Sequence, residues 1–77
     1  MLIHKVVQDL DNTTLAKMAD EIIKFKEKTG VLPDDAETRK IESLIEEITS
    51  DIYEVHHLQI AIAMIEREIL KRFINLI

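Results

Sequence analysis

Glu54 and His57 stand three residues apart, and Glu-x-x-His on a helix places a carboxylate and an imidazole on one face. Two such pairs with further carboxylates make the metal site of di-iron bundles. This chain has a single pair, so a dimer axis would have to supply the second, and Glu21 or Glu47 the remaining carboxylates. That defines one functional expectation, a ferritin-like half-bundle binding metal at a dimer interface through Glu54 and His57. The same spacing arises readily in a chain with fifteen acids. In that case Glu54, His56 and His57 only flank a helix interface. A second chemistry needs no metal: Tyr53, His56 and His57 could line an inter-subunit pocket for a small ligand.

Other reactive constellations are missing from the sequence. It has no cysteine, no glycine-rich nucleophile turn and no phosphate-binding loop. No catalytic residue and no cofactor is therefore predicted, and the chain is not expected to be an enzyme. Lys24 and Lys28, one helical turn apart, are the basic pair that could meet a partner. Direct nucleic-acid binding is not expected, because Asp20, Glu21 and Glu27 interleave with the lysines and only three aromatic residues could stack on bases.

The elements that would position these residues are helices. One glycine and one proline in 77 residues leave little turn chemistry for a β or α/β domain. Leu2, Ile3, Val6, Val7 and Leu10 share a helical face rather than alternating, which predicts a short amphipathic N-terminal helix. Asp11-Asn12-Thr13 can cap a second helix starting near Thr13 or Thr14, with a stripe of Leu15, Met18, Ala19, Ile22 and Ile23. It ends near Thr29, where Gly30 suits a left-handed cap, Val31 is placed to fold back on Phe25, and Pro33 blocks continuation. Asp34 and Glu37 form a capping-box pattern for the next helix.

From Asp35 to Ile77 there is neither glycine nor proline. Counting in sevens from Ile41 meets Ile48, Val55, Ile62, Ile69 and Leu76, all branched and apolar, which predicts one long helix over 34–77. The competing expectation breaks the helix at Thr49-Ser50-Asp51, a run of capping residues, and gives a compact three-helix bundle. The fold class predicted is all-α: a single domain over 1–77 with N-terminal helices in 1–30 and a long oligomerisation helix in 34–77. Together these form a helical hairpin in a coiled-coil-like oligomer.

Assembly follows from geometry. The helix ending at Thr29 can cover only half of a long partner, yet Leu58 to Ile65 is apolar almost all round. The predicted oligomer interface comprises Ile48, Ile52, Val55, Leu58, Ala61 and Ile62, continuing through Ile65, Ile69, Phe73 and Leu76. Charge suggests an antiparallel arrangement, since residues 31–54 carry a net of minus six and residues 55–77 a net of plus one. Small chains bury only about 60% of their unfolded surface, and without disulfides oligomerisation is the remaining staple.

Met1 leads straight into Leu2 and Ile3 without a basic region or cleavage site, so no signal peptide is expected. No stretch approaches the roughly 20 apolar residues of a membrane span. A cysteine-free, acidic chain suits the cytoplasm. The function expected is a small, non-enzymatic regulatory protein that acts as a homo-oligomer on a protein partner. Its composition resembles that of phage- and plasmid-type accessory inhibitors.

Overall fold

A computed structural model describes residues 3–48 and 54–77, with the side chains of 54 and 55 outside the described part. The chain is all-α. Four helices appear, α1 (Ile3–Gln8), α2 (Asn12–Lys24), α3 (Glu37–Ile48) and α4 (Glu54–Leu76), with no strand among the described residues. No described helix is long and apolar enough to cross a membrane.

Local chemistry explains the first boundaries. The N–H of Thr14 donates to Asp11 Oδ1 at 3.1 Å, so Asp11 caps α2. After Lys24 the helix widens into a π turn over Phe25–Thr29, closed by Gly30 N–H donating to the Phe25 carbonyl at 3.0 Å. Gly30 takes φ 65°, the left-handed conformation that an L side chain resists. Val31 does not fold back on Phe25. It is 66% exposed, and Leu32 is buried in its place. The extra residue in the π turn moves the apolar contact one position along. Arg39 then holds the loop, donating to the carbonyls of Leu32 at 2.7 Å and Pro33 at 3.4 Å.

The start of α3 is capped from a distance. Glu21 on α2 accepts from the backbone of Glu37 at 2.8 Å and of Thr38 at 2.9 Å, and from the Thr38 hydroxyl at 2.8 Å. The predicted Asp34–Glu37 box is thus replaced by a carboxylate that both satisfies the helix end and ties α2 to α3.

The single helix over 34–77 is not what forms. α3 and α4 are separate helices packed against one another. The longest dimension of the molecule is 39 Å, whereas a helix of that span would run about 65 Å at 1.5 Å per residue. Whether the interruption falls at Thr49-Ser50-Asp51 lies outside the described residues. Unbroken heptad phase is no sign of a rod, because any two helices with apolar faces at 3/4 spacing read alike. Ile41 and Ile45, with buried Thr38 and Glu42 beside them, form one such face, and Ala61, Ile62 and Ile65 the other. Leu15, Met18 and Ile22 of α2 pack against both, with Val7 of α1 completing the core.

Candidate interaction surface

α2 and α4 run antiparallel, and two polar clasps set their register. At one end Lys26 Nζ meets Glu66 at 3.1 Å. At the other, Arg72 donates to Asn12 Oδ1 at 2.7 Å, to the carbonyls of Gln8 at 3.1 Å and Leu10 at 2.6 Å, and to Glu68 at 2.8 Å. One guanidinium thereby caps the end of α1, grips the start of α2 and stays fixed to its own helix, a geometry that its planar fork allows and an ammonium does not.

Between the clasps lies a groove. Its first part, about 400 Å³, is lined by Ala19, Ile22, Ile23, Glu66, Ile69 and Leu70. A second part of about 260 Å³ shares Ala19 and Ile69 and continues past Leu15 and Ala16 to Phe73 and Leu76. The small side chains of Ala16 and Ala19 leave the space, and the large ones of Leu70 and Phe73 make the wall. Beyond the wall, Ile74 and Ile77 extend the apolar surface. Leu70, Phe73, Ile74 and Ile77 fall at i, i+3, i+4 and i+7, one stripe of a helix. Their exposure runs from 59% at Phe73 to 92% at Ile77. Charges stay at the edges, where Asp20 and Lys24 pair at 2.9 Å on α2.

The predicted interface residues divide here. Ala61, Ile62 and Ile65 are buried in the chain's own core, and Leu58 and Ile69 pack against that core. Assigning Ala61, Ile62 and Ile65 to a contact between subunits needs correction, because α3 and α2 already cover them. Phe73 and Leu76 are exposed, and Ile48 is about half exposed. Ile52 and Tyr53 lie outside the described residues, as do the side chains of Val55 and Glu54.

His57 is buried whereas His56 faces solvent, so the two do not share a surface. Among the described residues no three histidine or carboxylate side chains gather closely enough to hold a metal ion. Lys24 is paired with Asp20, and Lys28 lies exposed in the π turn. A further opening of about 390 Å³ between α1 and α4 is lined by His4, Gln8, Met64, Arg67 and Lys71 among others, with Glu68 drawn toward Arg72.

Arg72 and Glu21 are the side chains whose roles the sequence pattern does not reveal. Arg72 does carry a signal, a cation seven residues after Ile65 and fourteen after Leu58 on the same helical face. At the same corner Asp11 is held below its ordinary acidity range by hydrogen bonds from the Thr14 side chain and then the Thr14 backbone.

The chain matches no protein-family model, no curated protein and no solved structure. The groove therefore stands on its own geometry.

Proposed function

We propose that this chain is a non-enzymatic interaction module that seats an amphipathic helix in the groove between α2 and α4. The observation that carries this reading is the solvent-facing stripe of Leu70, Phe73, Ile74 and Ile77 beside an alanine-floored channel. A helix laid in such a channel is read through apolar anchors at i, i+3, i+4 and i+7, the same spacing the wall presents. Regulation would result from occlusion: a small module covers a surface and needs no chemistry of its own.

The test is titration of the labelled protein with a synthetic amphipathic helix, monitored by NMR. Shifts concentrated at Ala16, Ala19, Ile23 and Phe73 are expected. Shifts absent there, together with no uptake of an apolar dye such as anilinonaphthalene sulfonate, would remove the reading.

A further inference from the structure

Resting on that groove, the geometry points to a particular occupant: the α4 stripe of a second copy of this chain, in a two-fold symmetric dimer. Area is the first argument. From their exposed fractions, Leu70, Phe73, Ile74, Leu76, Ile77 and Ile23 present on the order of 700 Å² of side-chain and backbone surface, close to the ~800 Å² each partner contributes to a stable interface.

Self-complementarity is the second. α4 supplies both a ridge and one wall of the groove. If the ridge of one copy enters the groove of the other, the two-fold axis makes the reverse true at once, and the interface closes without leaving a sticky edge. Crossing antiparallel near Phe73 and Ile74 sets Leu70 of each copy against Ile77 of the other. The four helices that meet, two α2 and two α4, form a bundle layer.

Charge is the third. The chain carries a net of minus five, yet the stripe is uncharged. On its α2 side the rim consists of the neutral pairs Asp20–Lys24 and Lys26–Glu66. Two copies therefore approach there without like-charge repulsion, although acidic side chains such as Glu46 and Glu47 of α3 would oppose many other pairings.

The experiment combines light scattering behind size exclusion with two kinds of variant. The intact chain is expected to form a dimer that dissociates on dilution. Ile74→Glu with Phe73→Glu is expected to weaken association by roughly 100-fold while leaving helicity unchanged, since neither side chain supports the monomer core. Because the chain has no cysteine, Ile74→Cys should form a covalent dimer under mild oxidation where Lys17→Cys, exposed on α2, does not. A dimer that survives the double glutamate variant would overturn the inference. So would a chain that stays monomeric at millimolar concentration, or one that leaves solution only for anionic phospholipid vesicles. A monomer that still takes up the apolar dye, and loses it in Ile74→Glu, would overturn the dimer alone and leave helix docking in place. A monomer that binds neither dye nor helix would remove both.

Discussion

The two halves of α4 each carry an apolar face, and the two faces have opposite fates. From Leu58 to Ile65 the helix lies under α1, α2 and α3, with Ala61 and Ile65 fully buried. From Leu70 to Ile77 it is covered along one side only, by the start of α2. Lys71, Arg72 and Asn75 make the far half the more polar, but both halves keep an apolar face, and length decides which face is covered. α4 has 23 residues against 13 in α2 and 12 in α3. It outruns its neighbours, and Arg72 marks where the covered part stops. An apolar stretch that continues past the end of its own bundle is a surface in search of a cover.

The largest expected effect sets one half directly against the other. Ile65→Ala removes three methyl-sized groups from a fully enclosed site and should lower unfolding free energy by roughly 2–5 kcal/mol. Ile74→Ala, the same chemical change nine residues on, should stay within about 0.5 kcal/mol in dilute protein, where association is negligible. Urea unfolding at low concentration measures both. Equal losses would mean that the far half of α4 is as enclosed as the near half, and the contrast would collapse.

The junction between the halves comes next. Arg72→Ala removes donors from the carbonyls of Gln8 and Leu10 and from Asn12, and leaves Glu68 without its cation. The expected cost is about 1–3 kcal/mol, the scale of hydrogen bonds to a charged group. Amide exchange should place the loss locally, with α1 opening first while α3 keeps its protection. Uniform loss of protection would instead make Arg72 part of the global core.

Helix ends set by neighbouring residues are legible in the sequence; those set from across the fold are not. Asp11 and Gly30 act on backbone within five residues of themselves, so residue type alone locates them. Glu21 caps α3 from sixteen residues away, and nothing near Glu37 announces it. The heptad count misleads for a related reason. Periodicity records that each helix has an apolar face, not whether the faces belong to one rod or to two helices lying side by side. The candidate surface is legible in part. Periodicity gathers Phe73 and Leu76, which the fold leaves exposed, into one seam with Ala61, Ile62 and Ile65, which it buries, because a helix that folds against its own chain looks, in sequence, like one awaiting another. Ala16 and Ala19 shape the groove by being small, a role visible only once α4 lies opposite them.

Glu21→Ala tests the polar joint that holds the covered end. It strands the first amides of α3 and the hydroxyl of the fully buried Thr38, and should cost roughly 1–2 kcal/mol, the upper part of the range for losing a helix cap. Thermal unfolding measures the loss, and amide exchange at Glu37 and Thr38 locates it. If stability fell while exchange at those two amides stayed slow, the Glu21 cap would not be what protects them.

The smallest effect concerns Asp11, which sits between Leu10 and Asn12, two of the residues whose oxygens Arg72 grips at the boundary of the halves. Hydrogen bonds from Thr14 favour its ionised form in the folded chain, so its folded acidity lies below the ordinary carboxylate value. In the window between those two values the unfolded chain binds more protons than the folded one, and stability rises with pH. The contribution is complete at neutral pH, begins to fall as pH drops through the ordinary carboxylate value, and is gone below the folded value. Asn caps a helix nearly as well but cannot ionise. Asp11→Asn should therefore match the parent most closely under strong acid and fall behind it as pH rises toward neutrality. Thermal midpoints of the two proteins from pH 2 to pH 7 make the comparison. A constant difference across that range would show that the charge on Asp11 contributes nothing to the cap.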